Sequence, residues 1–510
     1  MEYKIIDSCQ WTYPDIWEYK GEAKIFEGLA VLGGTATFRI IVRDIKGVLN
    51  IQSDGIDCLF YEEIAIPVED NPNFEEGFMP HFPERIAPFC VYDCMKPCNG
   101  IVTPKNKITS IYVSIPAACE TLNGNIILSC CEQRISIPVS VKAYGKMPEE
   151  TLKISMGYEL PSVAKWHDAE FGSEKLKELD QKYLHLLRHQ HQNGYFLEHP
   201  RVHKDKNGKW NFNFDFMNHR IRTLLNLGFT HFHLHGIGFR RAWDAPDIII
   251  CGMDGLSYDA FMYLSSYLPA LRENLRENGW LDSGMFTIGI ADEPNQFDGV
   301  TYRAIAATVR KYLPEVRIYE AVSYVHMYGA IDVWAPRADE YAKNSDRFDV
   351  FKELGDEIWH YVCLFPRVGG YINRFMDIPL LATRYIYWAN YKYDLAGYLH
   401  WSVNNYQSDL DPYEGSCPVH INAGSKSILP PGDDKLIYPG DNEPYMSARL
   451  EAHREAAEEY EMLRVIAEND KETADKLCDA CFKSYTNVEF DPVEFRKTQH
   501  KLIIEYSKYC

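Results

Sequence analysis

The hydrophobic pattern of the chain changes near residue 148. Up to that point, short runs of alternating or β-branched residues are separated by Gly, Pro and Asn, as in ATFRIIVRDI, NGNIILSCC and RISIPVSVKAY. Runs of this kind are typical of the strands of a β-sandwich. We therefore predict an N-terminal β-sandwich module over residues 1–148, which ends in the polar stretch GKMPEET.

From residue 149 to 445, short apolar runs alternate with long amphipathic helical patterns. One helical pattern is SEKLKELDQKYLHLLRHQHQ, which begins with Ser173 as the expected N-cap. Eight runs predict strands: ISMGYELP, GYFLEHP, FTHFHLHGIGF, MFTIGIADEP, VRIYEAVSY, AIDVWAP, EIWHYVCLFP and LAGYLHWSVNNY. Eight strands that alternate with helices favour an α/β fold with a (β/α)8 TIM-like barrel. A doubly wound open sheet is the competing architecture.

Residues 446–510 contain helical patterns without a strand signal, and we predict a C-terminal helical segment packed on the barrel. Its first helix is MSARLEAHREAAEEYEMLRVIAEN. Charged residues recur along this helix at spacings that allow ion pairs, which predicts a solvated, paired face. The residues concerned are Arg449, Glu451, Arg454, Glu455, Glu458 and Glu461.

The negative net charge of the chain disfavours several classes of ligand. The formal net charge is -20 and the isoelectric point is near 5.3. A nucleic-acid-binding protein would carry a basic stripe, and this sequence has none. Anionic membranes and polyanionic substrates are disfavoured for the same electrostatic reason. No apolar run reaches the roughly 18 residues that a membrane span needs.

Two further features bear on the cellular compartment. The N-terminal stretch MEYKIIDSCQWTYPDIW lacks a basic start followed by an apolar core, so it is not a signal peptide. The 14 cysteines are irregularly spaced and are expected to be reduced thiols. We expect a cytoplasmic protein without a cofactor, or a secreted one if a leader has been removed.

A pair of adjacent carboxylates ends one of the predicted strands. Of three Asp-Glu dipeptides, only Asp292-Glu293 follows an apolar run and precedes a proline, Pro294. The proline favours an extended Glu293 and ends the strand, which in a barrel places the pair at the carboxyl-terminal mouth. Two like charges at close range give the two carboxyl groups different pKa values, so that one is ionised while the other is protonated. Acid/base catalysis uses such a pair. Alternatively, one of the two residues caps the next helix.

Several segments together resemble a known family. They are ADEP, IDVWAP, the long block from EIWHYVCLFP to LAGYLHWSVNNY, and LIYPGDNEPYMSARLEAHREAAEEYEMLR. These segments are similar to the glycoside hydrolase family 123 β-N-acetylgalactosaminidases and to the related proteins with domain of unknown function 4091. The resemblance spans residues 150–467, and the N-terminal β-module is also of the family's kind.

The resemblance implies a retaining exo-glycosidase that removes a terminal β-linked N-acetylhexosamine, with N-acetylgalactosamine favoured. In such enzymes the nucleophile is the 2-acetamido group of the substrate. Glu293 would protonate the leaving oxygen, and Asp292 would orient the acetamide N–H. The expected partner is an oligosaccharide or glycoconjugate with a terminal 2-acetamido sugar. The sequence does not predict an oligomeric state.

Residues near other strand ends are further candidates for substrate binding. Tyr324 would donate a hydrogen bond to the acetamide carbonyl, and any of three tryptophans would stack under a sugar ring. A packing role is the alternative for each. The candidates are His235, Asp254, Tyr324, Trp334, Trp359, Trp401, Asn404 and Asn405.

Two rival functions follow from other features. In THFHLHG, His231, His233 and His235 alternate and therefore share one face of a strand, an arrangement that occurs in zinc sites. A metal-dependent hydrolase would add His360 or His400 to them. A non-catalytic carbohydrate-binding protein would instead use the acidic pair only to bind hydroxyl groups. Loss of hydrolysis with a chelator would identify the first rival, and absence of hydrolysis the second.

Overall fold

The computed structural model describes residues 1–71, 85–367, 369–406, 410–422 and 424–510. The N-terminal region is β-rich, with two sheets in the strand orders β1-β3-β8-β5-β6 and β2-β10-β9-β4-β7. Its strands are β1 Glu2–Asp7, β2 Phe26–Val31, β3 Thr35–Arg43, β4 Leu49–Asp54, β5 Leu59–Val68, β6 Phe89–Cys98, β7 Ile101–Val102, β8 Ile108–Pro116, β9 Thr121–Cys130 and β10 Gln133–Tyr144.

The alternation of side chains explains how these two sheets pack. In β10, Ile137, Val139 and Val141 are buried, whereas the residues between them are exposed or only partly buried. Successive side chains of a strand point to opposite faces, so the three residues lie on one face. That face shares an apolar core with Phe38 and Ile40 of the other sheet.

The next part of the chain forms a closed barrel of eight parallel strands, in the order β11-β12-β15-β18-β19-β20-β21-β22. The elements are β11 Lys153–Met156, α1 Leu160–Trp166, α2 Glu174–His189, β12 Gly194–Phe196, β13 Arg201–Lys204, β14 Trp210–Asn213, α3 Asp215–Leu227, β15 His231–Leu234, β16 Ile249–Ile250, β17 Met253–Asp254, α4 Tyr258–Glu277, β18 Phe286–Ile288, α5 Gly299–Tyr312, β19 Arg317–Ala321, β20 Val333–Ala335, α6 Ala338–Lys343, α7 Ser345–Glu353, β21 Glu357–Tyr361, α8 Leu380–Tyr393 and β22 Gly397–His400. The predicted barrel is confirmed, and all eight predicted runs contribute a strand.

Local sequence signals set many of the element boundaries. The Ser173 hydroxyl accepts a hydrogen bond from the Leu176 N–H at 3.2 Å, so this residue caps α2 as predicted. Helix α8 begins at Leu380, directly after Pro379. One connection differs from the repeat, because β19 and β20 are joined by a 3₁₀ turn, Val325–Met327, instead of a long helix.

The remaining elements return to the N-terminal region. They are β23 Val419–Asn422, β24 Ser425–Ile428, β25 Ile437–Pro439, β26 Pro444–Ser447, α9 Ala448–Asn469, α10 Lys471–Cys481, β27 Phe482–Ser484, β28 Asn487–Val488 and α11 Pro492–Tyr506. Strand β26 pairs antiparallel with β6, with Met446 opposite Met95, and β25 follows it at the edge. Residues 437–447 therefore extend the first N-terminal sheet, although the sequence pattern assigns most of them to the barrel segment.

The charged face of α9 is paired, as expected, but the expectation that it is solvated is wrong. Arg384 of α8 donates to Glu459 at 2.6 Å, and Arg449 donates to Asp93 of β6 at 2.8 Å. These ion pairs are buried because α9 is covered by α8 on one side and by β6 and β26 on another. Five of the six predicted surface residues are buried: Arg449, Glu451, Arg454, Glu455 and Glu461.

All 14 cysteines have free thiols. Within the parts of the chain that the structure describes, no helix is both long enough and apolar enough to cross a membrane.

Candidate active site

A cavity of about 740 Å³ opens at the carboxyl-terminal end of the barrel. Residues at or just after the ends of all eight barrel strands line it, together with residues of the β23–β24 hairpin. This is the end of a (β/α)8 barrel where functional groups are normally found.

Asp292 and Glu293 both line this cavity, although they lie beyond the strand that carries them. Strand β18 ends at Ile288, and Glu293 has a left-handed φ of 48°. The extended conformation expected for a residue before proline is therefore wrong for Glu293. Because adjacent residues of a flat strand point to opposite faces, this turn in the backbone is what lets two neighbouring carboxyl groups enter one cavity. Such a conformation costs about 1–3 kcal/mol and is typical of functional sites.

Arg240 stabilises this unusual backbone. It lies in the connection after β15 and is buried, and its Nη2 donates to the carbonyl oxygens of both Asp292 and Glu293, each at 2.6 Å. Its Nε lies 3.3 Å from a carboxylate oxygen of the fully buried Asp298. The guanidinium group thus ties the acidic pair to the loop between β15 and α4.

The two carboxyl groups have different environments. Surrounding protein replaces much of the water around Asp292, and this desolvation raises its pKa to about 7, with the adjacent Glu293 charge contributing in the same direction. Glu293 accepts a hydrogen bond from the hydroxyl of Tyr361, at the end of β21. Near neutral pH Asp292 is therefore a mixture of its ionised and protonated forms.

A third carboxyl group lies beside the pair. Glu320 of β19 is buried, and its Oε1 accepts from the backbone N–H of Ile290, from that of Ala291 at 3.1 Å, and from the Tyr302 hydroxyl at 3.0 Å. Burial raises the pKa of Glu320 to about 8, so the group is largely neutral at pH 7. It holds the segment that leads from β18 into Asp292.

Of the eight predicted substrate-binding residues, two line the cavity. His235 follows β15 and stacks on His199, with 3.7 Å between ring centroids. Trp401 follows β22, and its indole N–H donates to Asp433 at 3.2 Å. Both are therefore placed where a ligand in the cavity would meet them.

The structure places the other six away from the cavity lining. The Asp254 carboxylate accepts from the Leu256 N–H at 2.8 Å, and Tyr324 begins the 3₁₀ turn. Asn404 and Asn405 both bond to Glu159, at 2.8 and 3.0 Å. These four residues make structural contacts at loops and turns.

The two remaining tryptophans are buried in the fold. Trp334 donates to Asp356 at 2.9 Å and stacks on Phe351 of α7. Trp359 points into the barrel, where it packs against His233 and Tyr319. Both follow the strand-end pattern in sequence but are 0% and 2% exposed, respectively, so neither presents a face to a ligand.

The three alternating histidines do not converge on a common point. Both ring nitrogens of His233 are bonded to hydroxyl groups, those of Ser155 and Thr287, at 2.7 Å each. His231 bonds to Thr230, and burial lowers the pKa of His231 to about 4 and of His233 to about 3. Among the described residues, no group of three or more His, Cys, Asp or Glu side chains is arranged to hold a metal ion.

Sequence reasoning missed several residues of the site. Tyr361 ends the run EIWHY, so the same strand-end rule that gave Asp292 also applies to it. Tyr319 lines the cavity with a buried hydroxyl group that has no partner among the described residues. Arg240 carries no local signal, because its role depends on a loop 52 residues away in sequence.

The family of the chain follows from a comparison with family models. The model of the glycoside hydrolase 123 catalytic domain matches residues 162–466, which is more than half of the chain. The chain belongs to glycoside hydrolase family 123. It is thus a glycoside hydrolase, and the resemblance inferred from the sequence is confirmed.

A solved structure supports the fold over nearly the whole chain. A family 123 glycoside hydrolase from Clostridium perfringens, studied for glycolipid glycan hydrolysis, matches with a TM-score of 0.74 and 14% identity, over 99% of this chain and 97% of that one. A GH10 xylanase with a bacterial Ig-like domain, from termite gut, has 12% identity and covers 86% of this chain and 100% of its own. Its TM-score of 0.35 is too low to support an argument. A search of the curated proteins gave no match.

Proposed function

We propose that this family 123 glycoside hydrolase removes a terminal β-linked N-acetylhexosamine, with N-acetylgalactosamine favoured, from an oligosaccharide or glycoconjugate. The reaction is substrate-assisted and proceeds with retention. The observation that carries the proposal is that Asp292 and Glu293, adjacent in sequence, both enter one cavity because Glu293 adopts a left-handed φ of 48°. Two neighbouring carboxyl groups suit two neighbouring atoms of one sugar ring.

The first half of the reaction breaks the glycosidic bond. The acetamide carbonyl oxygen of the substrate attacks the anomeric carbon, and Glu293 donates its proton to the leaving oxygen. Asp292 accepts a hydrogen bond from the acetamide N–H and stabilises the positive charge that develops there. The products are the free aglycone and a bound oxazolinium intermediate.

The second half regenerates the enzyme. Glu293, now ionised, takes a proton from a water molecule, whose oxygen attacks the same anomeric carbon. The bond to the acetamide oxygen breaks, and the sugar leaves with its original configuration. The Tyr361 hydroxyl, which donates to Glu293, stabilises the ionised form between the two halves.

The acetamide group needs a donor for its carbonyl oxygen, and we assign this role to Tyr319 in place of Tyr324. Tyr319 and Asp292 line the same cavity, and the buried Tyr319 hydroxyl has no partner among the described residues. A buried hydroxyl without a partner is costly unless a ligand supplies one. Trp401, which borders the same cavity, offers an aromatic face to the sugar ring.

The remaining carboxyl groups of the described cavity lining favour a nucleophile on the substrate. Glu320 is neutral near pH 7 and accepts three hydrogen bonds on one oxygen. Glu159 accepts from Ser162 at 2.8 Å and from Asn405 at 3.0 Å. Since both are engaged in holding the barrel loops, neither is poised to attack the sugar.

The proposal is tested with purified protein and p-nitrophenyl glycosides of β-N-acetylgalactosamine, β-N-acetylglucosamine and β-galactose. We expect hydrolysis of the 2-acetamido glycosides only, with a loss of about 10²–10⁴-fold in kcat for Glu293→Gln. Asp292→Asn should lose activity without loss of the fold. Asp254→Asn, which changes an exposed carboxylate outside the cavity lining, is the matched control and should retain activity.

Two results would contradict the proposal. Equal cleavage of the β-galactoside, which lacks the acetamide, would exclude assistance by the substrate. Hydrolysis that is abolished by a chelator and restored by zinc would favour the metal-dependent rival.

A further inference from the structure

The hairpin formed by β23 and β24 has an unusual distribution of polar and apolar side chains. Its inward face carries His420, Asn422, Ser425 and Ser427, all of which line the cavity. The register places His420 opposite Ser427 and Asn422 opposite Ser425, so the four residues form two cross-strand pairs on one side of the ribbon. The wall that the hairpin presents to the cavity is therefore rich in hydrogen-bonding groups, and none of these four side chains is a carboxylate, a lysine or an arginine.

The outward face of the same ribbon carries three apolar residues and one lysine, Lys426, which pairs with Ile421. Val419, Ile421 and Ile428 are 48%, 70% and 49% exposed. A hairpin that only covers a protein core normally shows the reverse order, with apolar residues inside and polar residues outside. Because the polar residues face the cavity, the distribution points to a polar ligand against the inner face.

The hairpin spans the mouth of the cavity. Its base is near Trp401, whose ring lies 5.0 Å from that of His420. At its tip, Gly424 has a φ of +76°, and a Cβ atom there would lie 3.6 Å from the carbonyl oxygen of Arg241. Arg241 belongs to the loop after β15, which also contributes Trp243 to the lining. The hairpin thus reaches from the end of β22 to the opposite rim.

The orientation of the acidic pair places this wall on the side of the leaving group. Glu293, the proposed proton donor, accepts from Tyr361 of β21, the neighbour of β22 in the barrel. The leaving oxygen therefore faces β21, β22 and the base of the hairpin.

We propose that the inner face of the β23–β24 hairpin is an aglycone subsite that binds the hydroxyl groups of the sugar next to the terminal one. This inference rests on the proposed function and specifies what the enzyme recognises beyond the cleaved residue. Asn and Ser side chains donate and accept hydrogen bonds without charge, which suits a neutral, hydroxylated ligand. Trp243 on the opposite rim supplies an apolar surface for the same ring.

The test compares two substrates that share the terminal sugar but differ in the aglycone. One is p-nitrophenyl β-N-acetylgalactosaminide, and the other is a disaccharide with the same sugar β-linked to galactose. The inner-face variant Asn422→Ala/Ser425→Ala should lower kcat/KM for the disaccharide by about tenfold, as expected for two lost hydrogen bonds. Its kcat/KM for the aryl glycoside should stay unchanged.

The outer face of the ribbon supplies the matched control. Val419→Thr/Ile421→Thr changes the same strand on the opposite side and should leave both substrates unaffected. An equal loss on the two substrates, the same disaccharide loss in the outer-face variant, or no loss in the inner-face variant would each overturn the proposal.

A binding measurement separates this inference from the proposed function, because it needs no turnover. Titration calorimetry with a galactose-terminated disaccharide as the isolated aglycone should give weaker binding to the inner-face variant than to the outer-face variant. If neither p-nitrophenyl 2-acetamido glycoside is cleaved, the proposed function fails while the binding result still decides on the subsite. Equal binding to the two variants would overturn the subsite even in an active enzyme.

Discussion

At the scale of single residues, the backbone conformation of the acidic pair depends on hydrogen bonds from one buried arginine. Arg240 donates to the carbonyl oxygens of Asp292 and Glu293, both at 2.6 Å, and so stabilises a left-handed Glu293. Arg240→Met should therefore lower kcat by about tenfold or more with a smaller change in KM, because small displacements of catalytic groups are costly. The exposed neighbour provides the control, and Arg241→Met should keep its kcat. Wild-type kcat in Arg240→Met would show that the pair holds its geometry alone.

The environment of Asp292 predicts a pH dependence of the activity. Desolvation by the surrounding protein and the adjacent Glu293 charge raise its pKa to about 7, so the carboxyl group is increasingly protonated as the pH falls below 7. Only the ionised form offsets the positive charge that develops on the acetamide group, and kcat/KM reports on the free enzyme. We expect the kcat/KM of the wild-type enzyme to fall as the pH is lowered through about 7. The residual kcat/KM of Asp292→Asn should not show this acidic limb of the pH profile. The same limb in the variant would assign it to another group.

At the scale of the elements, the carboxyl end of β18 is held by its neighbour β19. All three donors to Glu320 bond to a single oxygen, and its pKa of about 8 means that the other oxygen carries a proton at pH 7. The side-chain amide of glutamine is also neutral and also offers one oxygen to the three donors. Glu320→Gln should therefore retain kcat within about threefold, a smaller effect than the loss of one hydrogen bond to a charged group would have.

The alanine variant at the same position is the contrasting case. Glu320→Ala leaves two backbone N–H groups and the Tyr302 hydroxyl without their acceptor, at about 1–3 kcal/mol for each buried group. We expect a lower kcat and a lower Tm, measured by steady-state kinetics and thermal unfolding. A large loss in Glu320→Gln, equal to that in Glu320→Ala, would mean that the charge of Glu320 takes part in the reaction.

The elements that could be predicted were those whose signal is local. The eight barrel strands appear as separate apolar runs, and Ser173 caps α2 within a few residues of its partner. The strand-end rule located Asp292 and Glu293, because a proline after an apolar run is visible in sequence. Alternation around Gly424 in VHINAGSKSI is also a local signal, of the kind that indicates a hairpin.

The features that could not be predicted depend on contacts between distant segments. Trp334 and Trp359 follow the same strand-end pattern as Trp401, but their direction into the core is set by neighbouring strands and helices. The charges of α9 resemble a surface helix until α8 and β6 cover them. Periodicity reports which residues share a face, whereas burial of that face is decided by the rest of the chain.

At the scale of the whole molecule, an ionic contact joins three parts of the chain. His191, which follows α2, lies 2.7 Å from Glu150 in the connection before β11 and 3.3 Å from Glu458 of α9. The hydrogen bonds and charges of these two glutamates outweigh burial and raise the pKa of His191 to about 9. The contact therefore links the junction with the N-terminal sheets, the barrel and the C-terminal helices.

The sign of the resulting pH dependence follows from the raised pKa. The protonated form is favoured in the folded chain, so its stabilisation is fully present below about pH 6.5 and is lost as the pH rises through about 9. Protonated His191 thus contributes on the order of 3 kcal/mol to the free energy of unfolding. His191→Gln should lower Tm clearly at pH 6 and much less at pH 10. The exposed His185→Gln on α2 is the control, and a Tm difference independent of pH would contradict this account.

The central claim is that the nucleophile belongs to the substrate, and a series of N-acyl groups tests it most directly. The kcat/KM of the wild-type enzyme is measured on p-nitrophenyl glycosides that carry N-acetyl, N-fluoroacetyl, N-difluoroacetyl and N-trifluoroacetyl groups. Each fluorine withdraws electrons from the carbonyl oxygen, so an attacking acetamide predicts a steep and progressive fall in kcat/KM. A flat series would contradict the account, because it would assign the attack on the anomeric carbon to a group of the protein or to water.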